Sequence, residues 1–363
     1  MGDLHGRPLF SICIPNYNYG RYIADTIRSV LDQSFQDFEI VVADNASTDD
    51  SVERVEAIGS EKVRLVRNRY NIGFAPNLQQ ATRHAQGEFV NLLSSDDQMQ
   101  PGALEAYAEV IEKVGPDRDR LVLMSDADGF DNEGRTTRLI RRAAATFARR
   151  SLPPGTPEEP GPLFSLHRGH DVLRDRIRQL DTAGVFCSIT YSRALWEAVE
   201  GYNAVRTIGP DKHFNYKLLS LDPVVGYVHR PLYRYRDYVS DNRAAVQTTI
   251  RHPIDDYLNV LEFGNEAFLG PLGLTREDLV EAFVRRTLLD ALTEIGLGNG
   301  RMARRLFWFA MSTFPVEALK VGYAYGLMPL LALGPVGSAV APPLRRAWIR
   351  VARRETGQRV GRR

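Results

Sequence analysis

Short apolar runs alternate with helical patterns over the first 130 residues, and this alternation is the feature that most constrains the fold. The β-like runs include "LFSICIP", "FEIVVAD", "KVRLVRN", "EFVNLLS" and "RLVLMSDAD", and amphipathic stretches such as "YIADTIRSVLDQS" and "PGALEAYAEVIEKVG" separate them. Such alternation is typical of an α/β sheet. It predicts a mixed, mostly parallel, Rossmann-like sheet flanked by helices, which binds ligands at the edge where its strands end.

The rest of the chain has a different pattern. A Pro-rich segment at 151–162, "SLPPGTPEEPGP", excludes regular helix or interior strand and predicts a long loop. After it, "GVFCSITYSRALWEAV" favours a strand that leads into a helix, "DKHFNYKLLSL" a helix, and "VVGYVHRPLYRYR" a strand. From about residue 250 the pattern is mostly helical, which predicts a helical C-terminal extension.

Composition places the chain among globular proteins. Its 363 residues are 44% hydrophobic and 25% charged, near the average for soluble domains. Its two cysteines, Cys13 and Cys187, lie far apart in apolar contexts, and "MGDLHGRP" is short and polar. We therefore expect reduced thiols, no secretory signal and a cytoplasmic location. No basic motif for nucleic acid is present.

Acidic residues end or follow the predicted strands. They are Asp44 in "VVADNASTDD", Asp96 and Asp97 in "LLSSDD", and Asp211 in "IGPDKHF". Oxygen ligands in loops suit Mg²⁺ or Mn²⁺, which use one or two carboxylates and complete their shell with phosphates and water. These acids therefore indicate a diphosphate ligand. Helix capping explains any single one of them equally well.

The combination of motifs resembles a known family. "FSICIPNYNYGRYIADTIRSVLDQSFQDFEIVVADNASTDDS" and "NIGFAPNLQQATRHAQGEFVNLLSSDDQMQPGAL" look like the N-terminal half of the family 2 glycosyltransferases, which have the GT-A fold and use nucleotide-sugars. The resemblance implies three parts. They are a nucleotide-sugar-binding half at 8–125, an acceptor-binding and catalytic half at 126–245, and a helical C-terminal region at 246–363.

The resemblance also implies residue roles. Pro15 and Tyr17 match the segment that contacts the base and ribose, with Tyr17 available to stack on the base. Asp44 matches the acid that hydrogen-bonds the base. Asp96 and Asp97 match the region where one carboxylate meets the ribose and one the metal, and Asp97 is preferred as the metal ligand. Asp211 matches the catalytic base.

Three positions depart from the family pattern. Ser94 replaces the first acid of the common "DSDD" form, and Pro210 replaces the Glu that often precedes the base. A His that often follows the closing strand is missing, and Asp237 or Tyr238 stands near its place. These departures leave open which of Asp96 and Asp97 binds the metal directly.

The implied reaction is a metal-dependent transfer of a sugar to a glycan or a lipid-linked acceptor in cell-surface polysaccharide synthesis. One base suffices for inversion at the anomeric carbon, and the sequence offers no clear nucleophile for a retaining route. A nucleotidyltransferase is an alternative, although "PNYNYG" is not its Gly-rich loop. A nucleotide-sugar-binding module with a degenerate metal site is a second alternative. The absence of G-x-G-x-x-G after the first strand disfavours a Rossmann oxidoreductase.

The C-terminus suggests a surface partner. Residues 321–344 carry no charge but contain four glycines and four prolines, and residues 344–363 carry eight arginines and one glutamate. About 20 apolar residues can cross a bilayer, yet the prolines argue against one straight span. Peripheral contact with the inner face of the cell membrane and packing as a helical subdomain are equally favoured.

Overall fold

The structure is a computed structural model. It describes residues 6–140, 163–206, 208–237, 250–321, 324–332 and 339–344. The chain divides into two compact units. We call 1–176 with 181–238 the sheet unit, and 177–180 with 239–363 the helical unit.

The described part of the sheet unit contains ten strands in one mixed sheet. The strands are β1 (Phe10–Asn16), β2 (Phe38–Asp44), β3 (Val63–Arg67), β4 (Phe89–Leu92), β5 (Gln98–Met99), β6 (Leu121–Phe130), β7 (Thr136–Ile140), β8 (Phe164–Arg168), β9 (Thr190–Ser192) and β10 (Val224–Arg236). Their order is β3-β2-β1-β4-β9-β6-β10-β5, with β7 beside β6 and β8 beside β10.

Parallel pairing makes the longest ladders of this sheet. β2 pairs in parallel with β1 and β3, β1 with β4, and β10 with β6. The short strands β5, β7, β8 and β9 pair antiparallel with their neighbours. The expected mixed, mostly parallel sheet is confirmed.

Helices cover this sheet, and their apolar faces form the core with it. The sheet-unit helices are α1 (Gly20–Leu31), α2 (Ser51–Glu56), α3 (Phe74–Arg83), α4 (Ala103–Val114), α5 (Gly169–Gln179), α6 (Arg193–Ala198) and α7 (Pro210–Ser220). Ile23 and Ile27 of α1 and Tyr107 of α4 are buried against Phe10 and Phe89 of the sheet. Burial of such side chains stabilises the fold by about 1.5–3 kcal/mol each.

Two local features fix how the strands approach one another. The N–H of Gly87, just before β4, donates to Ser11 Oγ at 2.7 Å, and a Cβ on Gly87 would lie 2.6 Å from the backbone nitrogen of Ser11. Only glycine therefore fits there. In β10, the register against β6 shifts around Pro231, as expected for a residue that cannot donate to the ladder.

The described helices of the helical unit include α8 (Arg251–Phe263), α9 (Glu266–Leu269), α10 (Arg276–Gly296), α11 (Gly300–Thr313), α12 (Pro315–Lys320) and α13 (Ala324–Ala332). Residues 339–344 are helical as well. Thr275 and Asp278 form a capping box at the start of α10. Phe283 and Leu292 of α10 are buried, as are Leu306 and Phe307 of α11. The expected helical extension is confirmed over these residues.

Several sequence expectations need correction or lie outside the description. Pro101 lies in a turn, and α4 begins two residues later at Ala103, after Gly102 in the left-handed conformation. The predicted loop at 151–162 lies outside the described residues. Within 321–344, α13 buries Ala324, Leu327 and Leu330. Of the helices described, not one combines the length and the apolar composition that a bilayer span requires.

Candidate functional site

The first part of the site forms where β1 and β2 end side by side. Asn16 and Asp44 are register partners, and Asn16 Nδ2 donates to Asp44 Oδ1 at 2.9 Å. Asp44 also accepts hydrogen bonds from the backbone N–H of Ser47 at 3.0 Å and from its hydroxyl at 2.6 Å. The Asp44 carboxylate is buried, and these donors hold it in one orientation.

The loops after β1 and β2 are joined by further hydrogen bonds. Asn18 Oδ1 accepts from the N–H of Thr48 at 2.8 Å, and the N–H of Gly20 donates to Asp49 Oδ2 at 2.8 Å. A Cβ on Gly20 would lie 3.1 Å from the backbone nitrogen of Ser51, so the small residue permits this approach. The Asp49 side chain therefore has a structural role, because it connects the two loops.

Tyr17 differs from its neighbours because it is exposed. Its side chain is 39% exposed at the end of β1, whereas the adjacent Asn16 is buried. An aromatic ring with a free face at the edge of a sheet can stack on a planar ligand. The arrangement suits the role that the resemblance implies for Tyr17.

The segment after β4 meets the same edge. Ser95 Oγ donates to the carbonyl of Pro15 at 2.6 Å, and Thr26 Oγ1 donates to the carbonyl of Ser95 at 2.9 Å. The first bond attaches the Asp96–Asp97 segment to the end of β1, and the second attaches it to α1. Pro15, Asp44, Asp96 and Asp97 thus gather at one sheet edge, as the strand pattern predicts. We call these four residues with Asn16 the edge cluster.

Asp96 and Asp97 have different environments. Asp97 is buried, and Asp96 is half-buried. Burial, and then the charge of Asp96, raise the pKa of Asp97 well above its usual value. Interactions with the side chains of Cys187 and Ser94 lower that pKa in part. Asp97 Oδ2 is buried and has no hydrogen-bond partner among the described residues.

Asp96 and Asp97 supply only some of the ligands that a divalent cation needs. A buried carboxylate oxygen without a partner next to a second carboxylate is a suitable pair of hard ligands. In the part of the chain that is described, no group of three or more His, Cys, Asp or Glu side chains is placed to hold a metal. Any cation here would take its other ligands from phosphate and water, as Mg²⁺ usually does.

Arg236, at the end of β10, connects this pair to the closing strand. Its backbone N–H donates to Asp97 Oδ1 at 2.9 Å, and its Nε donates to the carbonyl of Asp96 at 2.9 Å. The guanidinium lies 4.3 Å from the ring centroids of both Tyr22 and Phe130. Sequence analysis missed Arg236, although its place at the end of a long strand is a usable signal.

Asp237, directly after β10, forms hydrogen bonds with β7. Asp237 accepts from Arg138 Nη2 at 2.9 Å and from Thr137 Oγ1 at 3.2 Å, both in β7. The carboxylate of Asp237 therefore supports the β7 edge. Tyr238, the other residue near the position of the missing His, lies outside the described residues.

Asp211 occupies a different position from the one expected of a helix cap. The N-cap of α7 is Gly209, which has φ of 56°, and Asp211 is the second helical residue. The capping interpretation is therefore wrong for Asp211, because a left-handed residue that favours glycine begins the helix. Burial, and secondarily the charge of Asp211, raise the pKa of Tyr202. Asp211 is thus an acidic residue in the first turn of α7.

The fold matches that of solved structures. Solved structures of TarS from S. aureus share the architecture. Residues 1–349 of TarS in complex with UDP-GlcNAc align with a TM-score of 0.56 at 17% identity, over 94% of this chain and 91% of that one. The chain therefore has an α/β fold of the GT-A type.

The family follows from the sequence comparison. Residues 11–171 match the model of glycosyl transferase family 2, so this segment is a domain of that family and the resemblance is confirmed. The putative teichuronic acid biosynthesis glycosyltransferase TuaG of Bacillus subtilis is 39% identical over 106 residues, which are 28% of this chain and 42% of TuaG. The uncharacterized protein MT1568 of Mycobacterium tuberculosis is 36% identical over 106 residues, 29% of this chain and 33% of that protein. The matched segment spans well under two thirds of the length of each of these relatives.

Proposed function

We propose that the chain is a glycosyltransferase that moves a sugar from a nucleotide-diphosphate sugar to a glycan or lipid-linked acceptor. The observation that carries this proposal is the edge cluster inside a family 2 domain. Asp44 is oriented by Asn16 and Ser47, and Asp96 and Asp97 are attached beside it. The cluster offers groups for a base, a ribose and a diphosphate along one edge.

The donor end of the site follows from these environments. Tyr17 would stack on the base, Asp44 would accept a hydrogen bond from it, and Pro15 would border the ribose. Asp96 and Asp97 would hold Mg²⁺ or Mn²⁺, which neutralises the charge of the leaving diphosphate when bound. Asp96, which is half-buried, would also contact the ribose.

The chemical step proposed for this chain is a direct displacement. The acceptor hydroxyl oxygen forms a bond to the anomeric carbon, and the bond from that carbon to the diphosphate breaks. Asp211 accepts the hydroxyl proton, and the nucleoside diphosphate leaves with the bonding electrons. One base is sufficient, and the configuration at the anomeric carbon inverts. We place the acceptor within 126–245, the half that supplies Asp211.

The cellular setting is part of the proposal. The names of relatives refer to teichuronic acid biosynthesis and to chondroitin synthase, and this supports a role in cell-surface polysaccharide synthesis. Such donors are made in the cytoplasm, so the inner face of the cell membrane is the proposed location. Residues 321–344 and the Arg-rich tail would supply peripheral contact there.

A donor panel tests the proposal. Melting temperatures are measured with UDP-, GDP- and dTDP-sugars, with and without Mn²⁺, and release of the nucleoside diphosphate is followed for each donor. A donor at 100 times its Kd should stabilise the fold by about 2.7 kcal/mol. Binding with turnover supports the enzyme, and binding without turnover supports the binding module instead. If no nucleotide-sugar binds, with or without Mn²⁺, both the enzyme and the binding module are contradicted.

A matched pair of tyrosines locates the donor. Tyr17→Ala should weaken donor binding about fivefold or more, because stacking on a base is worth about 1–3 kcal/mol. Tyr325→Ala removes another exposed tyrosine, 62% exposed in the helical unit, and should leave donor affinity unchanged. Equal effects of the two substitutions would remove Tyr17 from the donor site.

A further inference from the structure

An open cavity of about 640 Å³ lies in the helical unit, between the start of α8 and one face of α11. Its lining combines three cationic side chains with an aromatic and apolar wall. The lining residues are Ile250, Arg301, Arg304, Arg305, Trp308, Phe309 and Ser312. No described acidic residue is among them. We call this site the α11 pocket.

Helical spacing explains why these residues share one face. Positions 304 and 305 are three and four residues after 301, 308 follows them by four and three, and 312 follows 308 by four, so all five lie along one side of α11. The opposite side, with Met302, Leu306 and Phe307, is buried. Trp308 is 59% exposed, which is unusual for so large an apolar side chain.

The three arginines of the α11 pocket also differ from other arginines of the chain. Among the described residues, Arg301, Arg304 and Arg305 make no side-chain hydrogen bond or ion pair. By contrast, Arg54 pairs with Asp50 at 2.7 Å and Arg135 with Asp131 at 2.8 Å. Three unpaired guanidinium groups within two helical turns repel one another, and an anion between them relieves that repulsion.

We propose that the α11 pocket docks the chain on an anionic phospholipid surface by binding phosphate headgroups. Guanidinium groups bind phosphate through paired N–H donors. Trp308 supplies the amphipathic ring that favours the boundary between headgroups and acyl chains. The cavity is far larger than one phosphate ion needs, and its apolar wall suits the glycerol and upper chain of a lipid. The inference goes beyond the proposed function, since it uses no residue of 321–344, of the Arg-rich tail or of the edge cluster.

Vesicle sedimentation of the full chain tests the proposal. Wild type is compared with Arg301→Gln/Arg304→Gln/Arg305→Gln on phosphatidylcholine vesicles with and without phosphatidylglycerol. The partition coefficient on anionic vesicles should fall about 100-fold in the triple variant, because each cation contributes about fivefold. Binding to phosphatidylcholine alone should be weak in both proteins.

A charge-matched variant controls for net charge. Arg28→Gln/Arg54→Gln/Arg135→Gln removes three arginines of the sheet unit that already have carboxylate partners. Its partition coefficient should change by less than tenfold, since exposed arginines that already pair with a carboxylate contribute mainly through screened net charge. Equal losses in the two triple variants, or no loss in the α11 variant, overturn the proposal. Circular dichroism and melting temperature confirm that both variants fold.

Two further readouts separate lipid from other partners. In a Trp348→Phe background, which removes the tryptophan of the tail, brominated acyl chains should quench tryptophan emission, and Trp308→Phe should lose most of that quenching. If inorganic phosphate without vesicles binds the α11 pocket and vesicles do not, the site serves a soluble phosphorylated ligand and the lipid proposal is wrong. Sugar transfer to a soluble acceptor should be unchanged in the α11 variant, so failure of the docking proposal is distinct from failure of the proposed enzyme.

Discussion

The backbone N–H of Arg236 donates a hydrogen bond of 2.9 Å to Oδ1 of Asp97, across 139 positions of sequence. This bond ties the end of β10 to the acidic segment after β4. It occupies one oxygen of Asp97, whereas the other oxygen, Oδ2, is buried without a hydrogen-bond partner among the described residues. One carboxylate can therefore position the closing strand through one oxygen and bind a cation through the other.

The first prediction distinguishes the two acids of the pair. Asp97→Asn retains Oδ1 as an acceptor for Arg236, so the fold should be preserved. Its melting temperature should equal or exceed that of wild type, because the substitution removes a buried charge whose desolvation is costly. Stabilisation by Mn²⁺ together with a nucleotide-sugar should be lost. The measurement is a thermal shift with donor and metal, each alone and combined.

Asp96→Asn is the matched control for that prediction. It should weaken donor binding because a contact with the ribose is lost. The donor binding that remains should still depend on Mn²⁺. The opposite result, with metal dependence kept in Asp97→Asn and lost in Asp96→Asn, would assign the metal to Asp96. A loss in both variants would indicate that the two carboxylates share the cation.

Much of the sheet was predictable from sequence. The runs "FEIVVAD" and "VVGYVHRPLYRYR" coincide with β2 and β10, because β-branched and aromatic residues bounded by polar ones leave little doubt about a strand. β8 and α5 were missed, since "FSLHRGHDVLRDRIRQ" is rich in charge and has few apolar positions to set a period. β5 has only two residues and exists through its pairing with β10.

The site was predictable only where it depends on strand ends. Asp44 and Asp97 follow apolar runs, and the parallel order of β2, β1 and β4 brings them to one edge. The bond from Arg236 to Asp97 could not be predicted, because it depends on the register shift around Pro231. The cap of α7 was mispredicted because the conformation of Gly209 follows from tertiary structure.

The second prediction concerns acid stability. Asp222 has φ of 49° and accepts hydrogen bonds from Arg168 Nη2 and from the backbone N–H of His170. Burial raises the pKa of Asp222, but these hydrogen bonds and the nearby positive charges outweigh burial, and the pKa lies below its usual value. The charged form is thus favoured by folding. The stabilisation that the charged Asp222 adds to the fold is present above the pKa of Asp in the unfolded chain, about 4. It is lost as pH falls through the lower pKa of Asp222 in the folded protein.

Asp222→Asn tests this pH dependence. Asparagine tolerates the left-handed conformation, so the backbone should be retained. The free energy of unfolding at neutral pH should fall by about 1 kcal/mol, because hydrogen bonds to a charged acceptor become neutral ones at a partly exposed site. Urea unfolding from pH 7 to pH 3 should show the variant and wild type converging in acid. A constant difference at every pH would mean that the charge of Asp222 is not involved.

The last prediction assigns the base. Asp211→Asn keeps Gly209 as the N-cap of α7 and removes only a first-turn charge, whose interaction with the helix dipole is worth about 0.3–1 kcal/mol. The melting temperature and the donor affinity should therefore change little. Transfer at saturating acceptor should fall at least about 100-fold, since general-base catalysis contributes about 10²- to 10⁴-fold. Glu277→Gln removes a first-turn acid from α10, outside the edge cluster, and should leave transfer unchanged. Near-normal transfer by Asp211→Asn would reduce Asp211 to a residue that stabilises α7, whereas a loss confined to transfer would support its role as the base.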